Sequence, residues 1–439
     1  MANPLQSVMK IPDLRRRILF VLSMCVIIRI GNLVPVPGID ALALNSFMGS
    51  MENTLFGMYD MFVGGAFSRM TVFALGIMPY ISASIIIQLL GSIIPYFQRL
   101  SKEGEEGRRK ITQFTRYGTV ILGGAQAFGI AKWLEGMETS TGMPIVPFPG
   151  IAFTLITMIT IVAGTIFLMW LGEQMTEFGI GNGISLIIFF GIVARLPFAL
   201  RSEFREFTAG NRSIIVELVL VALMVAIVGA VVLLTQGQRR IRVQYPKKVV
   251  GRKVYGGQTT YIPLRVNTAG VIPIIFAQAI MFVPNTVASL IPWEFLKFAQ
   301  QYFQIDHPFY WFMYGMLIVF FAYFYTAIVF NPVDLADNLK KYGAVIPQKP
   351  PGKKTAEHID KILTRITLPG SMFLALVAIM PYFITKFAKV NYQFASFFGG
   401  TGLLIMVGVA LDTLQQIEAK MVERHYEGLL KGTKVRGRR

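Results

Sequence analysis

The chain has 439 residues, of which 54% are hydrophobic and only 15% charged, with a formal net charge of +18. Soluble domains carry about 25% charged residues, so this deficit excludes an ordinary soluble protein and makes lipid the solvent for much of the chain. A single cysteine, Cys25, excludes an intrachain disulfide framework, and the length leaves room for about ten membrane spans with short loops.

In chain order, Lys10, Arg15, Arg16 and Arg17 precede an apolar run from Ile18 that ends in NLVPVPG. It has no small-x-small cleavage site, so it reads as a retained first span near 18–36 rather than a signal peptide. LFGMYDMFVGGAFSR, Leu55 to Arg69, is too short to cross a bilayer and too apolar for an ordinary loop. It reads either as a re-entrant segment or as an amphipathic piece lying on the outer leaflet. Met70 to Pro95 carries no charge over 26 residues and runs straight into the charged loop FQRLSKEGEEGRRK. About 20 apolar residues suffice to cross the hydrocarbon core. Further spans are expected near 114–134, 150–172, 180–200, 213–235, 268–292, 309–331, 367–388 and 395–415. The fold class is therefore an all-α polytopic membrane protein of about ten transmembrane helices.

Charge sets the orientation. With the N-terminus inside, the inner segments hold 32 of the 42 basic residues and the outer segments nine, with Arg29 left inside the first span. Both termini are then cytoplasmic. Ten spans split into five and five, and an odd number per half forces inverted topology. The expected division is an N-terminal half at 1–200, a C-terminal half at 201–415 and a basic tail at 416–439.

Two inner loops stand out. Residues 236–266 hold eight basic residues and no acid. Their alternation, Ile241, Val243, Tyr245 and then Val254, Tyr255, predicts a β-hairpin turning around Gly251. Residues 332–366 are rich in proline and lysine. Such loops serve either to anchor topology or to dock an anionic partner.

The spans hold almost no ionisable group. Arg29, late in the first span, reads as a snorkelling arginine or as the partner of Asp60 or another outer carboxylate. Glu173 and Glu177 fall at an inner turn, and Asp412 lies near the inner end of the last span. A proton- or sodium-coupled transporter places such groups at mid-membrane, so a passive conduit fits better than an inverted-repeat secondary transporter. His307, His358 and His425 lie far apart outside the spans, and HExxH, CxxC, Walker and GxSxG motifs are absent. No enzyme, metal site or cofactor is expected.

The strings IRIGNLVPVPGID, MFVGGAFSR, FALGIMPYISASIIIQLL, KEGEEGRRKITQFTRYGT, FLMWLGEQMTEFGIGNGIS, GQRRIRV, VNTAGVIPIIFA, FNPVDLADNLKKYGA and FFGGTGLLI occur in that order. Together, and nearly end to end, the chain resembles the SecY family of protein-conducting channels. The resemblance implies two pseudo-symmetric five-helix halves around a central hourglass pore. It implies a plug from Leu55 to Arg69, with Gly57, Met58, Tyr59, Met61, Phe62, Gly64, Gly65 and Phe67, and a constriction ring of Ile77, Ile81, Ile184, Ile188, Ile275 and Ile405. A ring of β-branched aliphatics can close like a gasket and dewet. Ser82, Gln88, Thr119 and Asn267 match polar positions of a lateral gate between the spans at 70–95 and 268–292. Arg239, Arg240, Arg242, Lys247, Lys248, Lys349, Lys353 and Lys354 fall where cytoplasmic partners dock. The implied function is passage of unfolded secretory polypeptides, with lateral release of hydrophobic segments into lipid. The implied partners are small membrane subunits similar to SecE and SecG, a SecA-like motor ATPase, the ribosome and preproteins bearing signal sequences. The implied location is the plasma (inner) membrane. One position departs from the family pattern: PQKPPG, Pro347 to Gly352, places Pro350 where an arginine is usual. The adjacent Lys349 lacks the planar fork of arginine.

Overall fold

The computed structural model describes residues 11–50, 55–138, 144–210, 213–245, 247–250, 253–257, 259–290, 302–304, 307–388, 390 and 392–432. The chain divides into two units. One comprises residues 1–208, 286–293 and 405–439, and the other residues 209–285 and 294–404.

The first unit contains α1 (Pro12–Gly31), α2 (Ala41–Ser50), α3 (Leu55–Phe62), α4 (Met78–Ile93), α5 (Pro95–Lys102), α6 (Glu105–Glu135), α7 (Ile151–Phe178) and α8 (Gly183–Thr208). The greater part of the last helix, α15 (Gly400–Gly432), also belongs to it. Prolines open α1, α4 and α5, where a missing N–H leaves no helical bond unmade. Helix α4 stops because Ile94 precedes Pro95 and is held extended, with φ −91° and ψ 122°. The chain then bends by 99° into α5.

Named side chains join these helices. Arg116 on α6 forks onto Glu173 on α7, with Nε to Oε1 at 3.0 Å and Nη2 to Oε2 at 2.6 Å. The Glu173 expected at an inner turn is thus part of a two-bonded ion pair inside α7. At the other end of α6, Glu135 Oε1 accepts from the Gly150 amide at 3.1 Å and the Thr154 hydroxyl at 2.9 Å, capping α7. Burial pushes the Glu135 carboxyl up, but the bonds from Lys132, Thr154 and Gly150 outweigh it and hold it below its ordinary value. The loop from α7 to α8 is tied twice: Arg17 donates to the Gly179 carbonyl at 3.3 Å, and the Gly181 amide to Gln416 Oε1 at 3.0 Å. Leu14 and Ile180 are buried beside Ile417 and Met421 at the same place.

The second unit contains α9 (Ile214–Gln236), β1 (Gln238–Gln244), β2 (Lys247–Val250), β3 (Lys253–Gly256), β4 (Thr259–Arg265), most of α10 (Ile272–Leu290), α11 (Pro308–Val329), α12 (Pro332–Lys341), α13 (Lys353–Ala388) and α14 (Tyr392–Phe398). Strand β1 pairs antiparallel with β4, Ile241 facing Ile262, and β2 pairs with β3. The predicted alternation holds: Ile241 and Val243 are buried, while Arg239, Arg240 and Arg242 are exposed. Tyr245, one step past the strand, is exposed. Val250 pairs with Lys253, and the turn expected at Gly251 lies outside the described residues.

Each expected span falls on a helix. Helices α7, α8, α9 and α13, the α11–α12 run and a run from Phe394 into α15 are long and apolar enough to cross alone, and the bent pair α4–α5 adds a seventh. The expected spans at 18–36, 114–134 and 268–292 correspond to α1, α6 and α10. Boundaries move, and helices α7 and α8 run on to Phe178 and Thr208. The span expected at 70–95 is helical only from Met78, and the first span ends at Gly31.

Candidate functional site

Residues 55–77 form one short helix followed by turns, and they lie inside the first unit. Met58, Tyr59, Asp60, Met61, Phe62, Gly64, Gly65 and Phe67 are all buried, and Gly57 is half-buried. A helix lying on the outer leaflet would expose one face, and Met58–Phe67 exposes none. Its aromatic rings pack in a group: Phe56 stacks on Trp133 at 4.9 Å and on Phe67 at 5.9 Å, and Tyr59 meets Phe67 edge-on at 5.2 Å.

Irregular buried backbone needs partners for its polar groups, and several are supplied here by named residues. Arg29 donates to the Gly64 carbonyl at 3.0 Å and Asn32 to the Val63 carbonyl at 3.4 Å. The Tyr59 hydroxyl donates to the Leu75 carbonyl at 2.8 Å. Asp60 Oδ1 accepts from the Ser68 amide at 2.7 Å, and its Oδ2 pairs with the guanidinium of Arg195. The Arg29–Asp60 pair considered from sequence is therefore corrected: Arg29 holds a carbonyl, and Arg195 on α8 is the cation facing Asp60. Sequence reasoning counted Arg195 among the outer basic residues, at the end of the span expected near 180–200. Helix α8 in fact continues through Pro197 to Thr208.

The paired glycines have a geometric reason. Gly64 and Gly65 have φ of +69° and +90°, a region that side chains disfavour. A Cβ on Gly64 would lie 3.0 Å from Gly191 Cα, and one on Gly191 would lie 2.6 Å from the Phe62 carbonyl oxygen. The segment is seated backbone to backbone on α8. A small cavity of about 50 Å³ remains beside it, lined among others by Arg29, Asn32, Phe62, Ile77 and Ile187.

Of the six ring candidates, Ile77, Ile81, Ile188 and Ile405 are buried and Ile184 is half-buried, all in the first unit. Ile275 is half-buried in the second unit. Ile77 precedes the first turn of α4 with φ −95° and ψ 0°, and its carbonyl accepts from the Ile81 amide at 3.1 Å. The i, i+4 spacing expected within a continuous span is thus the opening turn of a helix. Among the lateral-gate candidates, Ser82 is half-buried, and Gln88 is exposed and donates to Ser84 of its own helix at 3.1 Å. Thr119 is buried and donates to the Thr115 carbonyl at 2.7 Å. Asn267, half-buried, follows β4 in the second unit.

The two basic loops meet in the second unit. Gln244 and Val345 exchange backbone bonds at 2.9 Å in both directions. Ile241, Val243 and Leu264 share one buried core with Leu339, Ala344, Ile346, Ile359 and Leu363. Outside that core Arg239, Arg240, Arg242, Lys349, Lys353 and Lys354 are exposed. Lys247 and Lys248 lie on β2. The loop tip is a tight turn: the Lys349 amide donates to the Ile346 carbonyl at 3.1 Å, and Gln348 has φ +65°. Pro350 presents its carbonyl to the Thr355 hydroxyl at 2.7 Å.

Comparison with known proteins agrees with this architecture. The family model described as SecY matches residues 71–414. The protein translocase subunit SecY of Aquifex aeolicus is 44% identical over 432 residues, covering 98% of this chain and all of that protein. The Escherichia coli subunit of the same name is 47% identical, covering 97% of this chain and 96% of that one. A solved structure described as a protein-conducting channel superposes with a TM-score of 0.64 at 17% identity over 93% of both chains. A second, whose plug domain is described as stabilising the closed state of the SecY channel and maintaining a membrane seal, scores 0.63 at 16% identity over 93% of this chain and 92% of the other. Sec61 in a canine ribosome–channel complex scores 0.59 at 17% identity, again over 93% of both chains. On sequence, with nearly full-length relatives well above 40% identity, the chain belongs to the SecY family.

Proposed function

We propose that the chain is the pore-forming subunit of a protein translocase, a passive channel for unfolded polypeptides. The observation that carries this reading is the buried segment Met58–Phe67, a helix end followed by turns, whose Val63 and Gly64 carbonyls are held by Asn32 and Arg29 and which is otherwise tied by its own turns. Such a segment suits a stopper that must seal a conduit at rest and leave intact. SecY is a family of channel subunits and not of enzymes, and the relatives give no support to the secondary-transporter reading.

In this proposal, halves at 1–200 and 201–415 enclose an hourglass pore crossed by ten spans. Ile77, Ile81, Ile184, Ile188, Ile275 and Ile405 form its dewetting constriction. Polar positions Ser82, Gln88, Thr119 and Asn267 give a gate that a signal sequence can part, because interhelical polar bonds in membranes contribute only about 0.6 kcal/mol each. Both termini face the cytoplasm of the plasma (inner) membrane. SecE- and SecG-like subunits brace the halves. The folded basic body formed by residues 236–266 and 332–366 receives a SecA-like motor or the ribosome. A ribosome is present in the complexes of two solved structural neighbours, and the exposed arginines of β1 suit an RNA or acidic surface. Proteoliposomes containing the chain, its small subunits, a motor ATPase and a signal-bearing preprotein test the reading. ATP-dependent protection of the preprotein from protease is expected, and no protection with an active motor would refute it.

A further inference from the structure

We propose that Asp60 and Arg195 form an electrostatic latch that couples widening of the constriction to release of the buried segment. This deepens the plug and ring reading and rests on it. Along α8, Ile184, Ile188, Gly191 and Arg195 follow one another at spacings of four, three and four residues. They therefore share one helical face. The near end of that stripe carries the two constriction isoleucines. The far end carries both contacts to the segment: Gly191 under the Phe62 and Gly64 backbone, and Arg195 on Asp60.

The latch is built into its surroundings. The side chains of Arg195 and Asp60 are only 20% and 6% exposed. Arg195 also donates to the Ser68 hydroxyl at 3.1 Å, and the Ser68 amide donates to Asp60 at 2.7 Å. The Gly65 amide donates to the Asp60 carbonyl at 2.9 Å, closing the turn on which the carboxylate sits. Gly65 has no Cβ to keep the guanidinium away, since one would lie 2.9 Å from Arg195 Nη2. Attraction between charges is strong at contact in a poorly hydrated site and is screened once water enters. Hydrogen bonds fail beyond about 3.5 Å. A shift of α8 by about 2 Å therefore takes the pair from joined to released. Because α8 is one helix, a polypeptide pressing Ile184 and Ile188 outward moves Arg195 away from Asp60 in the same step.

The test uses the full complex in planar bilayers, reading resting ion conductance and passage of a preprotein with a weakened signal. Removing one partner of a buried pair strands the other charge. Asp60→Asn and Arg195→Gln should each raise resting conductance about tenfold or more. The double variant should do no more than the worse single one, and the exchange of Asp60→Arg with Arg195→Asp should recover part of the seal. A merely structural pair would lower thermal stability and leave the conductance of folded channels unchanged, and that result would overturn the latch. Coupling is read in a cycle with Ile188→Gly. Non-additive logarithms of conductance support transmission along α8, and additive ones overturn it. Deleting Gly57 to Phe67 separates the two levels: if the deletion leaks and the single variants stay sealed, the latch is wrong and the plug reading stands. If the deletion itself stays sealed, the plug reading fails and the latch with it.

Discussion

Replacing Gly191 by alanine probes the seat of the buried segment with one methyl group. Its Cβ would lie 2.6 Å from the Phe62 carbonyl oxygen and 3.3 Å from the Gly64 amide nitrogen. Both obstacles are backbone atoms, and the backbone there is tied by Arg29 and Asn32, so neither can rotate aside as a side chain would. Overpacking of this kind costs about 1–3 kcal/mol. Set against a two-state equilibrium between seated and displaced segment, that is a rise of about 5- to 150-fold in the displaced fraction. Resting single-channel conductance of the purified complex measures it, with thermal unfolding recorded alongside. Gly229→Ala on α9 is the control, since nothing lies within 4 Å of its added Cβ. Helix propensity should then gain up to about 1 kcal/mol of stability there with no leak. A folded Gly191→Ala channel as tight as the parent would falsify the claim that backbone contact on α8 holds the segment.

Three further outcomes are expected. Serine at several of Ile77, Ile81, Ile184, Ile188, Ile275 and Ile405 should leave the fold intact but leak ions; a cysteine at Ile81 should crosslink to a stalled translocating chain. Crosslinking only from a cysteine at Ile86, which is 44% exposed, would reject the ring assignment. Charge reversal at Arg239 and Arg240 should weaken binding of motor and ribosome, more at low salt than at high, without altering membrane insertion; equal affinity at moderate salt would argue that these loops only set topology. Gln348→Gly should stabilise the body formed by residues 236–266 and 332–366 by about 1 kcal/mol, because Gln348 holds φ +65° in a conformation that costs a side chain about that much. A lower melting temperature would mean that the Gln348 side chain supports the turn.

Much of this protein was legible in local pattern. The 23 residues of α9 are almost wholly apolar, and any such run must become a helix in lipid because its backbone bonds have no other partners. The alternation in β1 showed which side chains enter the core and which arginines stay outside, since successive residues of a strand point to opposite faces. The span expected near 70–95 was to end at Pro95, and α4 does stop there, as Pro95 restricts Ile94 whatever surrounds it. Tertiary structure alone decided the rest. Residues 70–77 are as apolar as a span but turn, with Met70 at φ +44° and Gly76 at φ +55°, because composition does not distinguish a buried turn from a buried helix. The pairing of Gln244 with Val345, which makes one body of two loops, leaves no mark in either loop. Asp60 and Arg195 are far apart in the chain, and each reads alone as a charge near a membrane boundary. Only packing of the 55–69 segment against α8 brings them together. Periodicity is written by neighbouring residues, whereas a contact between distant residues depends on how every element between them folds.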